Sequence, residues 1–230
     1  MDCIWLLLLW LDMELNLIVR NGLMRLLNSS LSAISIHTIP RRDFIIMHGM
    51  RTGVSAGLIR KQAILLISGD VVLVGGLWLL VDALEYIPQD HSGYADMIKW
   101  TKELAETLSK YQDKNGLWYQ VIDQPSRTGN FPEASVTTQC MYAYMKAVNK
   151  GYIDSQYRAI AEKAFKGLCD KLLISNSDGT LTLTKCCQVG GLGGKPYRDG
   201  SFEYYIGEKM RDNDAKATGP FIMGCIELNK

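Results

Sequence analysis

The spacing of hydrophobic residues predicts several amphipathic helices in the second half of the chain. Within residues 94–112, lysine and glutamate alternate with apolar side chains that recur every three or four positions: Met97, Trp100, Leu104, Leu108 and Tyr111. A helix with one buried face produces this spacing. On this basis we predict helices over residues 79–87, 94–112, 133–149, 157–172 and 219–228.

The connections between these helices contain turn residues and short extended segments. Asp-Lys-Asn-Gly at 113–116 predicts a turn, Ser155 is a candidate N-cap, and residues 117–123 and 180–184 are predicted to be extended. Residues 186–199 form a glycine-rich loop. Helices joined by short connections must bury their apolar faces on one another, which is typical of either a layered helical toroid or a helical bundle.

The composition of the chain changes near Trp78. All eleven tyrosines follow this residue, the first being Tyr86. Before it Lys61 is the single lysine beside six arginines, whereas lysine predominates afterwards. One domain rarely changes its residue usage in this way, so residues 1–78 and 79–230 are predicted to differ in origin.

Charge and cysteine content exclude several classes of function. The formal net charge is +1, which gives no electrostatic reason to expect binding to nucleic acid or to an acidic membrane. The six cysteines lack Cys-x-x-Cys spacing and are sparse for a disulfide framework. We therefore predict buried free thiols and no metal site.

Two apolar runs are candidates for membrane or export segments. Residues 4–11 resemble the core of a signal peptide, but no basic residue precedes them and Asp12 and Glu14 follow closely. Residues 71–81 are shorter than the roughly 20 residues that a membrane helix needs. Neither run is favoured, and an anchor at residues 4–11 is the weaker alternative.

Four motifs follow one another in the second half of the chain. They are GLWYQVIDQP at 116–125, GNFPEAS at 129–135, GGLGGKPYRDGSFEYY at 190–205 and NDAKATGPFI at 213–222. Together they closely resemble the C-terminal part of unsaturated rhamnogalacturonyl hydrolases, glycoside hydrolase family 105, which are related to the family 88 unsaturated glucuronyl hydrolases. The resemblance covers residues 79–230. It implies an all-α (α/α)6 barrel, of which this half would form about the last three hairpins, with short β-hairpins in the loops.

The resemblance also implies a reaction. The family removes a terminal 4,5-unsaturated uronic acid from oligosaccharides that polysaccharide lyases release from pectin and rhamnogalacturonan. An aspartate acts as general acid and base: it protonates the vinyl-ether double bond while water adds, and the hydrated sugar opens and releases its partner. This differs from glycoside hydrolysis by a carboxylate pair. No metal or nucleotide cofactor is implied, a cytoplasmic bacterial location is expected, and the oligomeric state is left open.

The family's catalytic aspartate belongs to a motif close to DGLYMA, which precedes the matched region and is absent from residues 1–78 as written. A shift of the reading frame by one base upstream changes this result. Allowed synonymous codons then give DGLYMA from residues 1–6, and YHAWDENRCQRWADPETGHSPNFWGRG, which resembles the family's pocket sequence, from residues 46–72. We predict that residues 1–78 are an out-of-frame leader, that the frame is restored near residues 78–80, and that Asp2 is not the catalytic aspartate.

The glycine-rich loop supplies the candidate substrate-binding residues. Gly191 and Gly193 can bring backbone N–H groups to a ligand, Arg198 can bind a sugar carboxylate, and Tyr204 can contact a sugar ring. Each has a structural alternative: a flexible turn for the glycines, a local ion pair with Asp199 for Arg198, and core packing for Tyr204. No residue of this chain is predicted to be catalytic.

Other polar and aromatic residues are predicted to be structural. Glu133 is favoured as a first-turn acid that interacts with the helix dipole, Trp118 as a core residue, and Asp82 and Glu85 as residues on the polar side of a helix. Without the aspartate, the chain as written is predicted to be an inactive part of a hydrolase. The alternative is a non-catalytic helical domain that binds carbohydrate or another protein.

Overall fold

The computed structural model describes the backbone of residues 35–39, 44–48 and 70–73, and both backbone and side chains of residues 74–191, 195 and 197–230. Strands β1 (Ser35–Ile39) and β2 (Phe44–His48) form an antiparallel pair, with Ser35 opposite His48. The rest of the predicted leader up to residue 69 lies outside the described residues.

Five helices of 14 to 16 residues form the framework of the described region. They are α1 (Asp70–Ala83), α2 (Tyr94–Ser109), α3 (Ala134–Asn149), α4 (Arg158–Lys171) and α6 (Ala215–Leu228); a shorter helix, α5 (Phe202–Gly207), precedes α6. Helix α3 lies at the centre and packs against α1, α4 and α6, while α2 packs against α1. Residues 134–147 of α3 are accordingly all buried.

Short strands occupy the loops. Strand β3 (Leu173–Ser175) pairs with β4 (Leu181–Leu183), and β5 (Cys186–Cys187) pairs with β6 (Met210–Arg211), both antiparallel. The predicted strand at 180–184 is therefore confirmed, whereas β5, β6 and α5 were not predicted. In place of the extended segment predicted at 117–123, the structure has isolated bridge residues, and Tyr119 is bridged to Pro132.

Helices α2, α3 and α4 agree with the predicted ranges to within three residues, whereas α1 and α6 do not. Helix α1 begins at Asp70, nine residues before the predicted start, and ends at Ala83, after which turns rather than helix lead to Pro88. The predicted N-cap Ser155 is wrong: Asp154 caps a single 3₁₀ turn (Ser155–Tyr157) by accepting a 2.9 Å hydrogen bond from the Gln156 N–H. Aspartate and serine are comparable N-caps, so the sequence did not distinguish the two neighbours.

Helix α6 begins at Ala215, four residues before the predicted start, and contains Pro220. Asp214 caps it by accepting from the Lys216 N–H. Because Pro220 has no N–H, the carbonyl of Lys216 loses its usual partner in the helix. The side chain of Gln139 on α3 donates to that carbonyl instead, at 3.2 Å. The packing of α3 on α6 thus compensates for a proline inside the helix.

The core contains the aromatic residues that the sequence placed there. Trp118 is fully buried, its Nε1–H donates to the Leu108 carbonyl at 2.8 Å, and its ring stacks on Tyr144. The core prediction for Trp118 is confirmed. Gly116 adopts φ of +89°, and a Cβ there would lie 2.1 Å from the Lys163 carbonyl oxygen, so this turn requires glycine.

Asp82 and Glu85 make contacts that the sequence did not predict. These carboxylates pair with Lys146 of α3, whose side chain is only 8% exposed. The Nζ–O distances are 2.7 Å to Asp82 and 2.5 Å to Glu85. This contact between α1 and α3 joins residues more than 60 positions apart in the chain, so a local pattern could not indicate it.

Two further predictions concern the pairing of the cysteines and the ability of the helices to cross a membrane. Within the described region, free cysteines confirm the prediction of unpaired thiols, although two are only partly buried: Cys140, Cys169, Cys186, Cys187 and Cys225. Cys3 lies outside that region. None of the described helices is both long and apolar enough to cross a bilayer.

Candidate functional site

Two loops meet at the N-terminal end of α3. The first, residues 117–132, leads into the helix, and the Glu133 N–H donates to the Trp118 carbonyl at 2.9 Å. The second, residues 185–211, follows β4, and the Ala134 N–H donates to the Lys185 carbonyl at 3.0 Å. This junction contains three of the four predicted binding residues. We call it the loop site and define it by Gln120, Asp123, Gly191, Arg198 and Tyr204.

Glu133 holds the two loops together. Its carboxylate is buried and accepts hydrogen bonds from the Val136 N–H at 2.7 Å, the Ser135 hydroxyl at 2.8 Å and the Cys187 N–H at 2.7 Å. It is the N-cap of α3 rather than a first-turn residue. The prediction of a structural role is confirmed, and these donors leave the carboxylate no part in contacting a substrate.

Strand β5 forms the base of the second loop. The carbonyls of Cys187 and Gln188 both accept hydrogen bonds from the Lys216 ammonium of α6. Burial, together with the nearby Glu133 carboxylate, raises the pKa of the Cys186 thiol to about 12. The thiol is therefore protonated at neutral pH and is not a nucleophile.

Arg198 and Gly191 lie against each other in the loop site. A Cβ added to Gly191 would lie 3.4 Å from Nη1 of Arg198, which is van der Waals contact distance, so the backbone of Gly191 lies close to the guanidinium. Arg198 is partly buried, and it retains its charge at all physiological pH values. The structure thus brings together two of the predicted residues, while Gly193 lies outside the described residues.

Tyr204 packs against a small apolar cluster between the two loops. Val121, Phe202 and Tyr205 are buried there, and the rings of Tyr204 and Tyr205 lie 5.0 Å apart. Burial raises the pKa of Tyr204 to about 12, and the neighbouring Glu208 carboxylate adds to this shift. At neutral pH the phenol therefore keeps its proton and can donate a hydrogen bond.

Helix α5 is fastened to the first loop by Arg127. Its guanidinium lies 3.8 Å above the Phe202 ring and pairs with Glu203 at 2.5 Å. Asn130 closes that loop on itself, because its Nδ2 donates to the carbonyls of Val121 and Gln124, both at 2.8 Å.

Gln120 and Asp123 are site residues that the sequence did not predict. Their atoms Oε1 and Oδ1 are buried without a hydrogen-bond partner. Both belong to the first of the four motifs, but the order of residues there does not show which polar atoms will be left unpaired. With Arg198 and Tyr204 they provide one cation, one hydroxyl donor and two acceptors, which suits a ligand with both a carboxylate and hydroxyl groups.

Two other features of the described residues do not contribute to this site. A cavity of about 430 Å³ opens at the far end of α3, around Lys150 and Tyr152, and contains none of the predicted binding residues. In the part of the chain that the structure describes, no group of three His, Cys, Asp or Glu side chains is placed to hold a metal ion.

Comparisons with known proteins match the part of the chain that contains the loop site. A family model described as Glycosyl Hydrolase Family 88 matches residues 77–230. The 24.9 kDa protein in the picA locus of Rhizobium radiobacter is 34% identical over 159 residues, an alignment that covers 65% of this chain and 68% of that protein.

Solved structures show the same similarity. A family 105 glycoside hydrolase from C. acetobutylicum is 36% identical with a TM-score of 0.68, over 70% of this chain and 45% of that one. A possible family 105 member from Klebsiella pneumoniae shares the fold at 18% identity, with a TM-score of 0.64, over 90% of this chain and 48% of that one. The all-α (α/α)6-barrel prediction is confirmed, and this chain spans about half the length of these structures.

Proposed function

Because the chain belongs to glycosyl hydrolase family 88, we propose that its gene encodes an enzyme that removes a terminal 4,5-unsaturated uronic acid from lyase-generated pectin or rhamnogalacturonan oligosaccharides. The observation that carries this proposal is the family match over residues 77–230, with the loop site inside it. In the proposed reaction an aspartate protonates the vinyl-ether double bond while water adds. The hydrated sugar then opens and releases the rest of the oligosaccharide.

The loop site provides the binding part of this function. The Arg198 guanidinium has the planar pair of donors that matches a uronate carboxylate. Gly191 and Gly193 allow the backbone of the loop to approach a sugar closely. The Tyr204 phenol, which is protonated at neutral pH, donates to a sugar oxygen.

Replacing Arg198 with methionine is expected to weaken binding of an unsaturated galacturonyl–rhamnose disaccharide about 10- to 100-fold, because a charge-assisted bidentate contact is lost. Isothermal titration calorimetry with the full chain measures the effect. Lys195→Met is the matched control, since Lys195 is an exposed cation of the same loop. Equal losses of affinity in both variants would contradict a direct contact between Arg198 and the sugar carboxylate. They would indicate a general electrostatic attraction by the positive charge of the loop.

We also propose that residues 1–78 are translated out of frame, so that the chain lacks the catalytic aspartate. The shifted codons of residues 1–6 and 46–72 support this proposal. The start of the family match at Leu77, two residues before the predicted start of the in-frame region at residue 79, is consistent with it. On this view the chain as written retains a binding loop without the general acid.

The purified chain is accordingly expected to consume no unsaturated disaccharide above the rate in buffer, as followed by the ultraviolet absorbance of the double bond. Sequencing the gene provides the independent check, since the codons of residues 46–72 must permit the shifted string. Robust turnover by the chain as written, or codons that forbid the shifted string, would overturn the frame proposal.

A non-catalytic carbohydrate-binding domain is the second candidate function. This candidate is favoured because the chain retains the loop site but lacks the aspartate of the family's catalytic motif. Binding without turnover after correction of the frame would support it over the hydrolase. For the hydrolase we propose the bacterial cytoplasm, supported by the free thiols of the five described cysteines, which are typical of a reducing compartment.

A further inference from the structure

Two buried acceptors in the loop site lack hydrogen-bond partners. Gln120 is only 1% exposed, yet its Oε1 accepts no hydrogen bond, and neither does the buried Oδ1 of Asp123. Buried polar atoms are almost always paired, and an unpaired one destabilises the folded state. Their presence together in one segment therefore points to a donor that a ligand supplies.

The orientation of the Gln120 amide follows from its neighbours. Its nitrogen lies 3.5 Å from the Tyr205 carbonyl oxygen, which can only accept, and 3.3 Å from Sγ of Cys187. The nitrogen must therefore face these atoms, which leaves the oxygen as the unpaired end. Because Gln120 contacts both β5 and α5, it joins the two segments that flank the glycine-rich loop.

The segment that carries both residues is rigid. Asn130 accepts from the Val121 N–H at 3.1 Å and donates to the carbonyls of Val121 and Gln124. The Gln120 N–H donates to the Phe131 carbonyl at 2.9 Å. Acceptors held in place before binding lose little conformational entropy when a ligand arrives.

We propose that Gln120 and Asp123 are specificity-determining residues that accept hydrogen bonds from hydroxyl groups of the bound saccharide, and this rests on the proposed function. Amide and carboxylate oxygens are acceptors toward hydroxyls, and a carboxylate repels a second carboxylate. Arg198 therefore recognises the uronate carboxylate, while Gln120 and Asp123 recognise hydroxyls. A sugar that lacks those hydroxyls leaves the two buried acceptors unpaired and is rejected.

The test compares Gln120→Met and Asp123→Asn with Gln124→Met in the full chain, by calorimetry with the unsaturated galacturonyl–rhamnose disaccharide. Each of the first two variants is expected to bind about 10-fold more weakly, whereas the control stays within about twofold of the unchanged protein. Gln124 is the matched control, because its side chain pairs with Arg127 outside the loop site. The melting temperature of Gln120→Met is expected to stay within about 2 °C, since methionine fills the same volume without a buried unpaired oxygen.

A second ligand separates recognition of hydroxyls from a structural role. The same disaccharide with its free hydroxyls O-methylated is expected to bind the unchanged protein about 10-fold more weakly, and to show a smaller loss with Gln120→Met. An equal loss in both proteins overturns the inference, as does unchanged affinity in both site variants. Failure of the unchanged protein to bind the disaccharide at all overturns the proposed function itself. Asp123→Asn tests the inference alone if Gln120→Met does not fold.

Discussion

Replacing Lys146 with methionine is expected to lower the free energy of unfolding by about 3 kcal/mol, because the change leaves two carboxylates without their cation. Lys146 lies 2.7 Å from Asp82 and 2.5 Å from Glu85, and it also contacts the Tyr142 hydroxyl at 3.1 Å. The Asp82 and Glu85 side chains remain 22% and 26% exposed, which places the loss at the lower end of the range for buried pairs. Urea titration followed by tryptophan fluorescence measures it.

The matched control is Lys150→Met. Lys150 also pairs with Glu85 at 2.5 Å, but its side chain is 41% exposed, so solvent screens the interaction. A much smaller loss of stability is expected than for Lys146→Met. Similar losses in the two variants would show that burial does not govern how much these ion pairs contribute to the free energy of unfolding.

The same cluster predicts a dependence on pH. Burial opposes ionisation of Glu85, yet its hydrogen bonds to Lys146 and Lys150 lower the pKa of the carboxyl below its ordinary value of 4.5. A lowered carboxyl pKa contributes stability that is present above the unfolded value and is lost as pH falls through the folded value. Burial also opposes the charge of Lys146, but Asp82 and Glu85 raise the pKa of its ammonium, so that contribution is lost only in strong alkali. The stability difference between the unchanged protein and Lys146→Met should therefore shrink below pH 4.5.

Replacing Glu133 with alanine is expected to lower the free energy of unfolding by about 3 kcal/mol, because α3 loses its N-cap and two further donors lose their acceptor. The affected donors are the N–H groups of Val136 and Cys187 and the hydroxyl of Ser135. Since Cys187 lies near the start of the glycine-rich loop, the loop should also loosen. Faster hydrogen exchange at the Cys187 amide, measured with the unfolding free energy, checks both effects.

Two variants calibrate the effect of Glu133. Glu133→Gln keeps one acceptor oxygen in the same place and should lose about 1 to 2 kcal/mol. Glu162→Ala removes an exposed carboxylate that pairs with Arg158 on the surface of α4, and it should change the free energy of unfolding by about 0.5 kcal/mol or less. An unchanged exchange rate at Cys187 in Glu133→Ala would mean that other contacts hold the loop.

Much of the helical framework could be predicted from the sequence. The apolar positions of α2 recur every three or four residues, and the observed helix matches the predicted range to within three residues at its C-terminal end. The start of α6 was missed: the helix begins at Ala215, four residues before the predicted start, and contains Pro220. A contact with Gln139, 77 positions from Lys216, allows the proline to lie inside the helix, and no local pattern contains that information.

The candidate site could be predicted only in part. The motif that carries Arg198 and Tyr204 was visible in the sequence, and the structure brings Arg198 against Gly191. Gln120 was missed because a buried glutamine in an apolar segment shows nothing of which of its atoms will be paired. That outcome depends on Tyr205, 85 positions further along the chain.

The sequence alone therefore determined the buried faces of the helices, the family to which residues 77–230 belong and the loop that carries the candidate binding residues. These properties depend on short-range periodicity and on local motifs, which the order of residues records directly. The tertiary structure decided which polar groups are paired: it buried Lys146 between two carboxylates and left acceptors of Gln120 and Asp123 unpaired. The pairing of a polar atom depends on contacts between distant segments, and packing creates those contacts only when the helices come together.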